Sequence, residues 1–388
     1  MAKTIIGFDA KRIVRNGTGL GSYGRTLVND LAVAGAGNLS LRLYAPDAGR
    51  DELRTQIAES AYVTSCYPQR NRFFPLNSSL FTSLWRSRGI VNDLLRDGVQ
   101  LYHGLSGELP QGLRKAGIRS VVTIHDLIFL RHPEYYHWLD TKIYAWKFRK
   151  TIQEADHIIA ISECTKRDII ELGGVSEDKI TVIYQSFASR FKETSAKRLS
   201  TNGAQEGARC EGQGARYILS VGTIEERKNT LLAVKALQHL PEELSLVLVG
   251  RPTKYAETIR QYAAKHGLAK RVKLLHGVSD EELPRLYAGA EAFVYPSRYE
   301  GFGIPIIEAI AMGLPVVACT GSCLEEAGGP DSLYVDADDA EGLAAAMQQV
   351  LRGAAGREER ITRSREYIRR FEGNDVARQV IDVYRKLL

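Results

Sequence analysis

The chain has 388 residues, 44% of them apolar and 25% charged, the balance of a water-soluble globular protein with two cores rather than one. Its formal net charge of +6 lies in the first half: residues 1–190 carry 25 Lys/Arg against 19 Asp/Glu, and the remainder carries 27 against 27. Five cysteines with no CxxC pair argue against a disulfide framework or a zinc site, and no run reaches the ~18 uninterrupted apolar residues of a membrane span.

In chain order, "MAKTIIGFDA" enters a strand with no apolar leader, so the expected location is the cytoplasm. Next, "RNGTGLGSYGRTL" spells G-x-G-x-x-G from Gly19 to Gly24, which raises an NAD-dependent oxidoreductase as one reading. In that fingerprint the first glycine follows the strand almost at once. Here the strand ends near Asp9 and "AKRIVRNGT" intervenes, too long a connection for the dinucleotide turn. The expectation is therefore a flexible loop that directs Thr18 and Gly19 toward phosphates, followed by a helix starting near Ser22.

The runs "LSLRLYA", "SVVTIHD", "HIIAIS" and "KITVIY" alternate with helical stretches, the rhythm of a parallel sheet flanked by helices. Two stretches of this half interleave aromatics with cations. "QRNRFFPLNSSLFTSLWRSRG" carries Arg70, Arg72, Phe73, Phe74, Phe81, Trp85, Arg86 and Arg88. "YYHWLDTKIYAWKFRK" carries Tyr135, Tyr136, Trp138, Tyr144, Trp146 and Phe148. Such patterns suit either an anionic membrane surface or a core-facing aromatic stripe with a wet basic face. No nucleic-acid module is present, so nucleic acid is not an expected partner.

Residues 193–214 are small, polar and aperiodic, a linker or loop by composition. The βα rhythm then restarts with "YILSVG", "LSLVLVG", "VKLLHG", "AFVYPS" and "PVVAC". The predicted architecture is α/β: two doubly wound domains, 1–192 and 215–374, facing a cleft. A final amphipathic helix, 375–388, is able to pack on either and is assigned as completing the first.

Three places carry chemistry. In "VYPSRYEGFGIPIIEAIAMGLPVVA" a strand ends at Tyr295, a loop holds Glu300, Gly301, Phe302 and Gly303, and a helix begins near Ile304 with Pro305 in its first turn. Glycines there let backbone N–H groups approach a ligand at a helix N-terminus. Glu308 sits in an otherwise apolar helix, where a charge needs a partner. In "SVGTIEERKNT", Arg227 and Lys228 follow a strand, a planar fork beside a point charge that together suit a diphosphate, and Asn229 is placed to cap the next helix. His125 in "TIHD" ends a strand and reads either as a structural hydrogen-bonding residue or as a site residue; His103 in "LYHG" is a second candidate.

"GTIEERKN" with "PSRYEGFGIPIIEAIAMGLPVVA", supported by "TGLGSY", "VVTIHDL" and "HIIAISECTKRDI", resembles the GT-B glycosyltransferases of family 4, the retaining nucleotide-sugar-dependent type. The resemblance spans nearly the whole chain. It implies a GT-B fold of two Rossmann-like domains, an acceptor side first and a donor side second, with no cofactor and no metal. On it, Arg227 and Lys228 hold the donor diphosphate, and Glu300 binds sugar hydroxyls beside the N–H groups of Phe302 and Gly303. Glu308 binds the ribose, and His125 faces the sugar from the other domain. Val278 and Asp280 fall where relatives contact the base. Asp280 suits a guanine edge, as in GDP-mannose, but also reads as an acidic helix start, which leaves UDP-sugars open. Glu325 and Ala337 stand where prolines are frequent in the family. The implied activity is transfer of a hexose, with mannose favoured, to a glycan or lipid-linked glycan of a surface polysaccharide such as lipopolysaccharide, at the inner face of the membrane. A catalytically idle GT-B partner protein is the remaining alternative.

Overall fold

The computed structural model describes residues 3–68, 79–188, 191 and 216–388. The 193–214 segment, and Arg70, Arg72, Phe73 and Phe74 of the first aromatic-basic stretch, lie outside them. The chain divides into two units: Met1–Ser186 with Phe371–Leu388, and Phe187–Arg370.

Unit 1 is built on β1 (Thr4–Asp9), β2 (Leu39–Tyr44), β3 (Val63–Cys66), β4 (Leu101–Gly104), β5 (Arg119–Ile124), β6 (His157–Ala160) and β7 (Ile180–Val182). They form one sheet in the order β3-β2-β1-β4-β5-β6-β7, and every pairing is parallel. The central strands are buried on both faces, which is why they read as continuous apolar runs rather than alternating ones.

Two helices, Gly19–Ala34 and Gly373–Leu387, cover one face. Val376, Val380, Ile381 and Tyr384 of the last helix share a core with Leu27, Val28 and Leu31 of the first and with Ile6 and Phe8 of β1. Each such side chain contributes on the order of 2 kcal/mol by leaving water. The terminal helix thus belongs to unit 1, pinned by the buried Tyr384 hydroxyl, 2.7 Å from His103 Nδ1.

The fingerprint region differs from the flexible loop expected of it. Lys11–Arg15 is a short helix, and the next helix begins at Gly19, a turn earlier than Ser22. A Cβ on Gly21 would lie 1.8 Å from the Asn16 carbonyl oxygen, and one on Gly24 would lie 2.8 Å from Ile13 Cγ1. Both glycines are therefore needed so that two helices can touch. Arg25 reinforces the contact by donating from Nη1 to the carbonyls of Ile13 (2.8 Å) and Asn16 (3.0 Å).

Unit 2 repeats the plan with β8 (Arg216–Val221), β9 (Leu244–Val249), β10 (Val272–Leu275), β11 (Ala292–Tyr295), β12 (Val316–Cys319) and β13 (Leu333–Val335). The order is β10-β9-β8-β11-β12-β13, again all parallel. In both units the strand order reverses beside the first strand. Sheets of this kind bind ligands at that switch point, beyond the carboxyl ends of the strands. In unit 2 the switch lies between β8 and β11, so the loops after those two strands meet there.

Candidate functional site

After β8 the chain turns through Gly222, at φ 157°, into a single 3-10 turn, Glu226–Lys228. Asn229 follows at φ 54°, the one non-glycine residue with positive φ among the described residues. A short polar side chain tolerates that conformation. The residue stands at the N-cap of the helix Thr230–Ala236, yet its side chain makes no cap bond. Its Nδ2 donates to the Ala337 carbonyl at 2.8 Å instead. Asn229 fixes the loop to a distant segment rather than capping the helix.

The loop after β11 closes against this turn. Arg298 N donates to the Arg227 carbonyl at 2.9 Å, and Ser297 Oγ reaches the same carbonyl at 3.3 Å. This backbone zipper places Glu300 between the two cations. Lys228 Nζ sits 2.5 Å from Glu300 Oε1 and donates to the Tyr295 hydroxyl at 2.8 Å. Arg227 Nη1 is 3.0 Å from Glu300 Oε2 and 2.6 Å from the Tyr299 carbonyl, while its Nη2 meets Glu225 Oε1 at 2.8 Å. Ser297 Oγ donates to Glu300 Oε1 at 2.5 Å.

Burial raises the cost of each charge here, and the pairing overcomes it. Despite desolvation, Lys228 and then Arg227 hold the Glu300 carboxyl down at about 2. Glu300 in turn raises Lys228 above its ordinary value, and burial with the Glu300 charge pushes the Tyr295 hydroxyl up to about 12. All three charges are thus permanent across any physiological pH. Beside them lies a cavity of about 10 Å³ lined by Gly222, Lys228, Thr230 and Tyr295, roughly the room for one water. The Thr230 and Ser322 hydroxyls are buried without a hydrogen-bond partner among the described residues.

Gly301, Phe302 and Gly303 are buried and lead into the helix Ile304–Ala311, with Pro305 in its first turn. The Cys323 thiol fixes this loop by donating to the carbonyls of Phe302 (2.8 Å) and Glu300 (3.1 Å). One turn into the helix, Glu308 accepts from the Tyr287 hydroxyl at 3.1 Å, a partner for the carboxylate in an apolar helix. Val278 and Asp280 lie on a separate loop, beyond β10, half-buried and exposed respectively. Asp280 lies two residues before the helix Glu282–Gly289, whose Glu282 N–H donates to Ser279 Oγ at 3.1 Å.

Thr18, Gly19 and His125 belong to unit 1. The Thr18 hydroxyl donates to Asn16 Oδ1 at 2.7 Å, and Gly19 is exposed with nothing near its Cα face. His125 follows β5 with both ring nitrogens engaged. Nε2 lies 2.8 Å from the Leu105 carbonyl, which can only accept, so that nitrogen carries the proton; Gln185 Nε2 donates to Nδ1 at 2.8 Å. Burial lowers the ring to about 4, so it is a neutral imidazole. Tyr23, from the fingerprint helix, stands edge-on to it at 4.8 Å. His103 is fully buried between Tyr384 and Thr123 and serves the core.

The structure thus assembles Arg227, Lys228 and Glu300, turns Tyr295 and Ser297 toward them, and sets Tyr287 against Glu308. Tyr295 and Ser297 were within the quoted motif, but nothing in its letters says they turn toward the cations. Among the described residues, no group of three or more His, Cys, Asp or Glu is arranged to hold a metal ion, and no helix is long and apolar enough to cross a membrane.

Against known proteins, residues 18–186 match the model of Glycosyltransferase Family 4, and residues 209–367 match that of Glycosyl transferases group 1. The chain is 30% identical over 379 residues to O-antigen chain mannosyltransferase B of Escherichia coli, covering 95% of this chain and 96% of that one. It is 27% identical to O-antigen chain mannosyltransferase RfbU of Salmonella typhimurium, covering 67% and 68% of the two chains. In fold it superimposes on the sucrose-phosphate synthase of Thermosynechococcus elongatus with a TM-score of 0.75 at 22% identity, covering 99% of both chains. The first match lies within unit 1, the described residues of the second lie within unit 2, and the relative is matched over 96% of its length. The chain therefore belongs to the GT-B glycosyltransferases of family 4, with a group 1 glycosyl transferase domain as its second half.

Proposed function

We propose that this glycosyltransferase moves mannose, with retention of anomeric configuration and without a metal, from a nucleoside diphosphate sugar to a lipid-linked glycan of a surface polysaccharide. The observation that carries the reading is the Arg227–Lys228–Glu300 cluster at the switch point of the second sheet. The names of the O-antigen mannosyltransferases to which the chain is similar favour mannose and a polysaccharide acceptor.

Breaking the bond between the anomeric carbon and the diphosphate leaves growing negative charge on the departing oxygen. Two fixed cations stabilise that charge in the role a metal plays elsewhere. In the free enzyme both pair with Glu300. A bound diphosphate competes for them and frees the carboxylate to accept from sugar hydroxyls, with the N–H groups of Phe302 and Gly303 beside it. Glu308 takes the ribose hydroxyls, and Val278 and Asp280 meet the base, where a carboxylate favours guanine. Thr18 and Gly19 are assigned to the donor phosphates. His125, whose nitrogens are already engaged, acts as a positioning residue near the sugar. The acceptor is presented at the inner face of a membrane that the protein meets peripherally.

The test is a transfer assay with GDP- and UDP-sugars in EDTA, the product anomer read by NMR. The expected result is an α-linked mannoside from GDP-mannose. An inverted product overturns the mechanism; no transfer or donor hydrolysis from any donor overturns the reading. An oxidoreductase is answered in the same tube, by the absence of NADH binding.

A further inference from the structure

We infer that the outer face of the helix Trp138–Glu154 is a membrane-docking face that inserts two tryptophans among anionic lipid headgroups. This helix packs inward through Phe148 and Thr151. On the opposite side, Leu139, Ile143, Trp146 and Lys150 fall at i, i+4, i+7 and i+11, a single helical stripe. That stripe points away from the domain, where a soluble helix carries polar residues. On this stripe Trp146 is 54% exposed, with Leu139 and Ile143 exposed beside it, and Trp138, the first residue of the helix and about 100° round from Leu139, is 61% exposed on its flank.

The flanks are cationic. From Trp138 to Lys150 the sequence holds Lys142, Lys147, Arg149 and Lys150 against one acid, Asp140. Lys147 is paired with Glu108 at 2.9 Å. Lys142 lies over the Trp138 ring, 4.8 Å from its centroid, and Arg149 and Lys150 are exposed. Indole rings that are amphipathic, set in a basic rim, match the headgroup layer of an anionic bilayer. A second copy of the chain is the less fitting occupant, because two such rims would repel each other.

Position gives the face a purpose. The chain leaves the carboxyl end of β5 through the His125 loop, the short helix Ile128–Arg131 and a 3-10 turn before it enters this helix at Trp138, so the Trp138 end follows the edge where ligands of such sheets bind. Docking there brings the ligand edge of unit 1 to the bilayer, from which a lipid-linked acceptor is taken. The inference stands on the exposed face; only its purpose rests on the proposed acceptor.

The chain has three tryptophans, and the third, Trp85, is buried, so intrinsic fluorescence reports on this face. The full chain is mixed with equimolar phosphatidylglycerol/phosphatidylcholine vesicles carrying brominated acyl chains, at low and at high salt. Expected are quenching of the exposed tryptophans, relief by salt, and at least tenfold weaker binding to pure phosphatidylcholine, as a few surface cations require. By vesicle flotation, Trp138→Ser/Trp146→Ser loses about tenfold in binding, and Lys142→Glu/Lys150→Glu loses the preference for anionic lipid. Both variants keep the wild-type urea midpoint and the wild-type rate on a short water-soluble acceptor. Absence of quenching on anionic vesicles, or unchanged flotation of the tryptophan variant, overturns the inference. So does a concentration-dependent dimer that the tryptophan variant dissolves. Failure of the soluble-acceptor assay alone bears on the proposed function and leaves the vesicle result to be judged separately.

Discussion

The two sheets share a strand order, but the polar centres they position have opposite electrostatics. In unit 2 the loops after β8 and β11 gather Arg227, Lys228 and Glu300, all ionised and mutually paired. In unit 1 the strands β4 and β5, one place along from the switch point, bring His103, Thr123 and His125 together with Tyr23 and Tyr384, a neutral set, while at the end of β1 Asp9 pairs with Arg86, which also meets Glu108. Topology fixes where a site can form. The side chains decide whether it answers to phosphate charge or to protons.

Removing a fixed cation should have the largest effect. Lys228→Ala is expected to lower kcat by about 10²–10³-fold, the usual loss when a group that stabilises leaving charge is deleted, with circular dichroism unchanged. An equal loss from an alanine at His125 would erase the distinction between the two centres.

Protons should separate them next. Burial lowers His103 to about 3 and His125 to about 4, so the unfolded chain binds protons that the folded one refuses. Their contribution to stability is complete above about pH 6.5 and is lost as pH falls toward those values. At pH 5 the loss is about 2 kcal/mol for the fully buried His103. Glu300 has the same sign of effect in a lower window: its carboxyl is held at about 2, so its contribution is complete above the unfolded carboxyl value and fades only below it. Hydrogen exchange at pH 7 and pH 5 should show unit 1 loosening while the unit 2 cluster stays protected. His103→Gln should flatten the unit 1 response. Uniform loosening of both units would defeat the comparison.

Smaller effects sharpen unit 2 alone. Glu308→Ala is expected to raise KM for the donor about tenfold with kcat nearly intact, the loss of a hydrogen-bonded carboxylate that binds without entering the chemistry. Thr230→Val removes a buried hydroxyl that lacks a partner among the described residues. It should stabilise the free enzyme by up to about 1 kcal/mol, visible as a higher Tm.

Much of this was legible in the letters, for physical reasons. The central strands are buried on both faces and so stand out as apolar runs; the Glu300 loop and the Arg227–Lys228 pair carried their chemistry in residue type and spacing. What escaped depended on distance along the chain. β3, "VTSC", is partly exposed and has no apolar pattern, and β13 has only three residues. The tyrosines at 287 and 295 matter only because a second loop brings a carboxylate or an ammonium to them. Gly21 and Gly24 complete the letters of a dinucleotide fingerprint, yet a neighbouring helix is what requires them. The amphipathic last helix was visible, but its berth is fixed by Tyr384 meeting a histidine 281 positions earlier.

That berth has a consequence for how the protein can be taken apart. Because the chain leaves unit 1 after Ser186 and re-enters it at Phe371, the second unit is an insert spliced into the first, held by two covalent crossings. No single cut yields two whole halves. Trimming at Arg370 strips Val376, Val380 and Tyr384 from the core of unit 1 and leaves a chain whose entire group 1 match (209–367) is present but whose beginning is missing its own end.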